Sequence, residues 1–162
     1  MKTIYLAGGC LWGVQAFIKT LPGILNTEAG RVNGNSRTLL GEYDGYAECV
    51  KTFFDPKKIS VEELISYFFE IIDPYIINEQ SENKGIKYRN GIYTHNMEDL
   101  KMIRNFINSR KDKEHIIVEV LPVFNYIKSA KEHQDRLSNY PNDACHIPKN
   151  LLTKYKKSSE NS

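Results

Sequence analysis

Residues 3–13 decide the fold and read Thr-Ile-Tyr-Leu-Ala-Gly-Gly-Cys-Leu-Trp-Gly. The apolar first half predicts a buried strand and the second half opens an amphipathic helix. Gly8 and Gly9 allow a tight turn and a close approach of another molecule at this junction. Cys10 follows them, where the helix dipole and the unpaired N–H groups of the first turn stabilise a thiolate. A nucleophilic sulfur beside the apolar wall of Trp12 suits a small, partly apolar, electrophilic target.

The composition indicates one globular domain. The chain has 162 residues, enough for a single core. Its formal net charge is only +2, which argues against nucleic acid or an acidic membrane surface as the main partner. We expect one domain over residues 1–157 and a disordered tail over residues 158–162.

The lack of a recognisable targeting signal and the small number of cysteines lead us to expect a cytoplasmic protein. No segment has the order of a signal peptide, and no apolar run approaches the ~20 residues that span a bilayer. The three cysteines, Cys10, Cys49 and Cys145, are few and odd in number. Such a set fits catalytic or redox thiols better than a disulfide framework. Of the three, Cys49 is expected to belong to the core.

The hydrophobic pattern predicts strands that alternate with helices. Ser60 and Glu63 have the spacing of a capping box, and Asn96 is a second candidate helix cap. A polar segment over residues 78–90 predicts a long ordered loop. Strands are predicted at 3–7, 24–32, 47–54, 91–94 and 116–123, and helices at 11–20, 61–72, 97–109 and 129–138. This alternation of short elements favours an α+β or α/β structure with helices packed on a small mixed sheet.

Several short motifs, taken in order, resemble one family. They are Gly8-Gly9-Cys10-Leu11-Trp12-Gly13, Gly45-Tyr46-Ala47-Glu48, Asp73-Pro74, Gly85-Ile86-Lys87-Tyr88-Arg89, Glu132-His133-Gln134-Asp135 and Asn142-Asp143-Ala144-Cys145-His146-Ile147. Together they resemble a divergent member of the peptide methionine sulfoxide reductases of the A class. That family has a Gly-Cys-Phe-Trp-Gly turn, a Gly-His-Ala-Glu strand and a Gly-Thr-Gln-Tyr-Arg loop. The similarity runs from about residue 3 to residue 147.

The resemblance implies a fold, a reaction and a partner. The fold would be a single α+β domain with a ferredoxin-like core, a mixed sheet with packed helices and an irregular C-terminal tail. The reaction would be reduction of the S epimer of methionine sulfoxide, free or in proteins, as protein repair under oxidative stress. Thioredoxin would supply electrons by thiol–disulfide exchange, so no bound cofactor and no metal are expected. We also expect a monomer.

The resemblance assigns catalytic roles to four residues. Cys10 is expected to attack the sulfoxide sulfur, which leaves a sulfenic acid and releases methionine. Glu48 stands at the family's acidic position, where partial burial would raise its pKa and let it protonate the oxygen; the alternative is a surface residue on an edge strand. The Tyr88 hydroxyl is expected to bind that oxygen or to orient Glu48. Cys145 is expected to resolve the sulfenic acid as a disulfide with Cys10.

Two positions in the expected substrate site depart from the family pattern. Leu11 stands where the family usually has Phe. It either shares with Trp12 the wall that holds the S-methyl group or joins the helix core. Asn83 occupies the place of a common Asp, so a negative charge is missing there.

A tyrosine that the family places in the loop before the glutamate strand has no counterpart in residues 33–40. We expect Tyr43 or Tyr46 to supply the missing hydroxyl. By strand alternation Tyr46 lies on the same face as Glu48. Tyr43 lies in the loop before it.

Other interpretations remain open at this point. A binding or redox-sensing module that kept the fold without catalysis would account for the departures. A cysteine hydrolase would need a histidine to activate Cys10, and no histidine lies in a recognisable partner motif. His133, His146 and Cys145 lack the paired spacing typical of a metal site.

Overall fold

A computed structural model of the protein describes residues 1–9, 11–35, 45–76, 79–80, 83–84, 86–135 and 154. The strands are β1 (Lys2–Ala7), β2 (Ile24–Val32), β3 (Ala47–Phe54), β4 (Glu79–Gln80), β5 (Asn83–Lys84), β6 (Gly91–Thr94), β7 (Glu119–Pro122) and β8 (Tyr126–Lys128). The helices are α1 (Leu11–Ile18), α2 (Val61–Phe69) and α3 (Met97–Asn108). Short 3-10 turns cover Ile86–Tyr88, Lys113–His115 and Lys131–His133.

Six strands form one mixed sheet in the order β7-β6-β1-β3-β2-β8. Every neighbouring pair is antiparallel except β6 and β7, which are parallel and are joined through α3. The inner order β6-β1-β3-β2, with α1 and α2 as connections, is the β-α-β-β-α-β arrangement of ferredoxin-like folds. The prediction of an α+β mixed sheet is therefore confirmed. The tail predicted to be irregular lies almost wholly outside the described residues.

One face of the sheet carries the main core, because all three helices contribute apolar side chains to it. Phe17 of α1, Phe68 of α2 and Ile103 of α3 are fully buried there with Phe54 of β3. Within each helix, the apolar residues recur at i, i+3 and i+4, and this spacing places them on the side that faces the sheet. Of the helices that the structure describes, none is long and apolar enough to cross a membrane.

The opposite face of the sheet holds a smaller cluster built around tyrosines. Tyr5 and Tyr93 are buried there beside Cys49, and Tyr126 packs against them. The Cys49 thiol is free and fully buried, which confirms its predicted place in the core. We call this group, Tyr5, Cys49, Tyr93 and Tyr126, the tyrosine cluster.

Both predicted helix caps are present. The Ser60 hydroxyl accepts from the Glu63 N–H, and the Glu63 carboxylate accepts from the Ser60 N–H, which is a complete capping box. The Asn96 side chain accepts from the Asp99 N–H and begins α3. These bonds satisfy N–H groups that the first helical turn leaves without partners.

Some predicted boundaries were wrong. Within residues 129–135, the described part of the helix predicted over 129–138, only a 3-10 turn forms, Lys131–His133, because Asp135 has a φ of 52° and the Gln134 side chain binds the backbone of β2. Helix α2 ends at Phe69 instead of residue 72, in turns that lead to Asp73. Strand β8 and the hairpin β4–β5 were not predicted.

Candidate active site

The glycine turn after β1 is fixed by close packing. A Cβ at Gly8 would lie 2.6 Å from Cγ2 of Ile72 and 3.0 Å from Oδ1 of Asn90, so no larger residue fits without displacement. Gly9 has a φ of 76°, in the left-handed region that favours glycine. Helix α1 begins two residues later, at Leu11. Cys10 itself lies outside the described residues.

Glu48 lies beside this turn on an interior strand. In the β1–β3 register Ala7 pairs with Cys49, so the chain that leaves β1 passes next to Glu48. On the other side of β3, Glu48 pairs with Arg31 of β2. Because β3 lies between β1 and β2, Glu48 is not on a sheet edge. It shares its face with Val50 and Phe54, which belong to the core packed against the helices.

Burial and charge act in opposite directions on Glu48. Burial raises the pKa of its carboxyl group, while the nearby charges of Lys87 and Arg31 lower it by smaller amounts. The net pKa of Glu48 is raised. A carboxyl group in this state retains a proton at a higher pH than an exposed glutamate does, so it is suited to donate one.

Two tyrosine rings lie against the cations that act on Glu48. The Arg31 guanidinium carbon lies 4.5 Å from the centre of the Tyr46 ring, and the Lys87 Nζ lies 5.1 Å from the centre of the Tyr88 ring. Burial alone would lower the pKa of Lys87, but a hydrogen bond with Tyr88 and the charge of Glu48 outweigh it and raise that pKa. The structure therefore brings Tyr46, Glu48, Lys87 and Tyr88 into one electrostatic group.

The Trp12 side chain is oriented by a histidine. Its indole Nε1 donates to Nδ1 of His133 at 3.2 Å, and the two rings lie nearly parallel with centroids 6.0 Å apart. His133 is held in turn because Gln134 donates to the Ala29 carbonyl and accepts from the Ala29 N–H. Leu11, by contrast, is only 4% exposed.

Sequence reasoning missed several residues of this region. Arg31 carries no local signal, since its position across from Glu48 depends on strand register. The contact of His133 with Trp12 joins residues that are 121 positions apart. Lys87 lies in a quoted motif, but its charge near Glu48 was not anticipated.

The remaining predicted site residues are not placed. Cys10, Tyr43 and Cys145 lie outside the described residues, as does the side chain of Asn83. Within the described ranges, no group of three or more His, Cys, Asp or Glu side chains could hold a metal ion.

Comparison with known proteins gives one consistent result. The family model described as peptide methionine sulfoxide reductase matches residues 2–162. A relative from Clostridium acetobutylicum, described as peptide methionine sulfoxide reductase MsrA, is 39% identical over 162 aligned positions that cover 96% of this chain and 100% of that protein.

Solved structures have the same fold. Reduced Mxr1 from Saccharomyces cerevisiae has a TM-score of 0.82 at 28% identity, covering 91% of each chain. Methionine sulfoxide reductase A of Corynebacterium diphtheriae has a TM-score of 0.80 at 25% identity, covering 91% of this chain and 83% of that one. Mxr1 in complex with Trx2 has a TM-score of 0.62 at 25% identity, covering 90% and 86%. With its sheet order, its glycine turn and a half-buried glutamate beside that turn, the chain belongs to the peptide methionine sulfoxide reductase family.

Proposed function

We propose that the protein reduces the S epimer of methionine sulfoxide with Cys10 as nucleophile and Glu48 as acid. The observation that carries the proposal is the position of Glu48, on an interior strand beside the Gly8-Gly9 turn, with a pKa raised by burial. Cys10 follows that turn in the sequence and directly precedes the first residue of α1. A cysteine at the beginning of a helix has its thiolate stabilised by the helix dipole.

The proposed reaction proceeds in balanced steps. The Cys10 thiolate attacks the sulfoxide sulfur while Glu48 gives its proton to the sulfoxide oxygen. The S–O bond breaks, oxygen passes to Cys10 as a sulfenic acid, and the thioether of methionine is released. The Cys145 thiol then attacks the sulfenic sulfur, which forms a disulfide and releases water. Thioredoxin reduces that disulfide by thiol–disulfide exchange.

The substrate is proposed to lie between apolar and hydroxyl-bearing side chains. Trp12, oriented by His133, would contact the S-methyl group through dispersion, and Leu11, which is only 4% exposed, would support this wall from the core side. Tyr88 and either Tyr46 or Tyr43 would donate hydrogen bonds to the sulfoxide oxygen. The contacts of the Tyr46 ring with Arg31 and of the Tyr88 ring with Lys87, the two cations that act on Glu48, support this role for Tyr46 and Tyr88.

The wider assignments belong to the same proposal. Thioredoxin as reductant is supported by the similarity to Mxr1, whose structure was solved in complex with Trx2. We assign the reductase domain to residues 1–157 and treat Asn83 as part of the substrate site. We also propose that the protein works as a monomer in the cytoplasm, without nucleic acid or membrane partners.

The activity can be tested by counting methionine released from each epimer of a blocked methionine sulfoxide. Reduced protein without added reductant should release about one equivalent from the S epimer and none from the R epimer, because each nucleophile reacts once. Release from neither epimer would instead support a redox-sensing module without catalysis.

A matched cysteine variant separates the two proposed thiol roles. Cys145→Ser should still complete one round of methionine release but should fail to turn over with thioredoxin, since its sulfenic acid has no resolving thiol. Normal cycling of this variant with thioredoxin would show that Cys145 does not resolve the intermediate.

A further inference from the structure

The Arg89 side chain joins segments that are distant in sequence. Its Nη2 donates to the Gly45 carbonyl at 3.2 Å, and its Nη1 donates to the Tyr46 carbonyl at 3.3 Å. Its Nε donates to Oε2 of Glu119 at 3.0 Å. The arginine side chain is 14% exposed, so solvent screens its bonds to the two carbonyls little, whereas the Glu119 side chain is 39% exposed and its ion pair with Arg89 is screened more. We call this arrangement of Arg89, Glu119 and the two carbonyls the Arg89 clamp.

The backbone on either side of Arg89 extends the same connections. The Tyr88 carbonyl accepts from the Gly9 N–H at 3.2 Å, next to the position of Cys10. The Asn90 side chain donates to the Asp73 carbonyl at 2.7 Å. One tripeptide, residues 88–90, therefore binds the glycine turn, the beginning of β3 and the Asp73-Pro74 turn. Three of the six quoted motifs begin or lie in these segments, and residues 88–89 belong to a fourth.

Glu119 gives the clamp a fixed anchor. Its Oε2 also accepts from the Tyr93 hydroxyl at 2.6 Å, and Tyr93 is fully buried in the tyrosine cluster. Glu119 begins β7, whose register with β6 is set by the pair Gly91 and Glu119. The guanidinium group is thus bound on one side to the sheet and on the other to the segment that leads to Glu48.

The segment that the clamp holds begins with a residue of high intrinsic freedom. Gly45 has a φ of 96°, and a Cβ built there would meet nothing within 4 Å among the described residues. Of all residues, glycine loses the most conformational entropy when it is ordered. Charged hydrogen bonds to its carbonyl and to the next one restrict that freedom just before Tyr46 and Glu48.

We propose that Arg89 is a positioning residue that sets the place of Tyr46 and Glu48 relative to the glycine turn. The inference rests on the proposed role of Glu48 as acid. Arg89 acts through the strand that carries this acid, and Glu119 fixes Arg89. A lysine cannot replace it, because one ammonium group has no planar fork to reach the carboxylate and both carbonyls.

A double-mutant cycle between Arg89 and Glu48 tests this. We expect Arg89→Met to lower the single-turnover rate of methionine release about 30-fold with KM little changed, since small misplacements of catalytic groups cost up to ~100-fold. In a Glu48→Gln background, the same change should lower the remaining rate by less than about three-fold, because the group it positions is gone. Equal losses in both backgrounds would overturn the positioning role.

The same cycle distinguishes failure of the two proposals. If Glu48→Gln alone keeps the parent rate, the acid assignment fails, and the inference about Arg89 fails with it. If Glu48→Gln is slow but Arg89→Met retains the parent rate, only the inference fails. Arg89→Lys repeats the test should the methionine variant not fold, and we expect a similar loss.

Arg104 provides a matched control. Arg104 lies on α3, and its Nη2 donates to the Val120 carbonyl of β7 at 2.7 Å. Like Arg89, it is therefore an arginine bound to a backbone carbonyl. It does not belong to the Arg89 clamp. Arg104→Met should therefore leave the single-turnover rate within about two-fold of the parent, as is usual for surface substitutions. A loss equal to that of Arg89→Met would mean that the effect is general destabilisation, and would overturn the proposal.

Discussion

Glu48 and Cys49 are neighbours on β3 that lie on opposite faces of the sheet, and their surroundings differ in charge. Burial is the largest cause that raises the pKa of each group. Around Glu48 the nearby charges are the cations of Lys87 and Arg31, which lower its pKa again. Around Cys49 the carboxylates of Glu48 and Glu28 raise the thiol pKa further. Lys51 opposes that effect only as the smallest contribution.

The difference shows how one strand can carry a reactive and an inert ionisable group side by side. On the face toward the glycine turn, cations offset part of the burial penalty, so proton exchange remains accessible. On the face of the tyrosine cluster, Glu28 adds negative charge to burial, as Glu48 does from the other face of the strand, so Cys49 stays a neutral thiol. A thiol that does not ionise is a poor nucleophile. The two groups therefore differ in reactivity because cations offset the burial of Glu48, whereas the charges around Cys49 are mainly negative.

The largest effect on activity should come from removing the thiol of Cys10, and removing the thiol of Cys49 is the comparison. Cys10→Ser is expected to abolish methionine release, because a hydroxyl at this position cannot replace the thiolate nucleophile. Cys49→Ala should keep turnover within about two-fold of the parent, and should cost about 1 kcal/mol of unfolding free energy through the small cavity it leaves. Activity assays and denaturant unfolding of both variants check this. An inactive but folded Cys49→Ala protein would contradict the comparison.

The sequence predicted the elements of the two faces better than their contacts. The boundaries of β2, β3 and β6 were predicted correctly, because apolar runs ended by Gly, Pro or polar clusters mark strands locally. The caps at Ser60 and Asn96 were also predicted, since a cap depends on residues only three positions apart.

Contacts across the chain could not be predicted in the same way. The pairing of Arg31 with Glu48 requires the register of two strands, and a shift of one residue would move the arginine to the other face. The bond between Arg89 and the Gly45 carbonyl spans 44 positions, and that between Gln134 and Ala29 spans 105. Such contacts depend on the assembled sheet, so no local pattern encodes them.

The resemblance to the family named candidate site residues but said nothing about their positions in space. It identified Glu48 and Tyr88, which the structure brings to one place through Lys87. From the sequence we expected partial burial to raise the pKa of Glu48, which the structure bears out, but the alternative of an edge strand stayed open; that β3 is an interior strand follows only from the sheet order. The comparison of motifs also gave no role to Lys87, which stands where the family motif has Gln. This difference puts a positive charge near the Glu48 carboxyl group.

A smaller effect is expected from removing that cation. Lys87 lowers the pKa of Glu48, so Lys87→Met should raise it further. Because the acid acts in its protonated form, the rate falls as pH rises through this pKa. The alkaline limb of the single-turnover rate should therefore move to higher pH, by about half to one unit for a partly exposed charge. Single-turnover rates measured across pH check this.

Lys51→Met is the matched control for this shift. Lys51 lies on the same strand as Glu48, but its Nζ lies over the rings of Tyr5, Phe53 and Tyr126 on the opposite side. We expect its removal to leave the alkaline limb in place. The same shift in both variants would mean that net charge, rather than the face of the strand, tunes the acid.

The smallest effect on turnover is expected from the tyrosine cluster. The Tyr126 hydroxyl donates to Oε2 of Glu28 at 2.6 Å, and Tyr126→Phe removes this bond to a charged acceptor. We expect the free energy of unfolding to fall by about 1.5 kcal/mol, the lower end for such bonds, because Lys128 still pairs with Glu28. The single-turnover rate should stay unchanged.

Tyr46→Phe, the equivalent change on the face of Glu48, should reduce the single-turnover rate while leaving the free energy of unfolding nearly as it was. If Tyr126→Phe slowed the reaction as much as Tyr46→Phe did, the two faces of β3 would be coupled, and the sheet could not be separating the reactive group from the inert one.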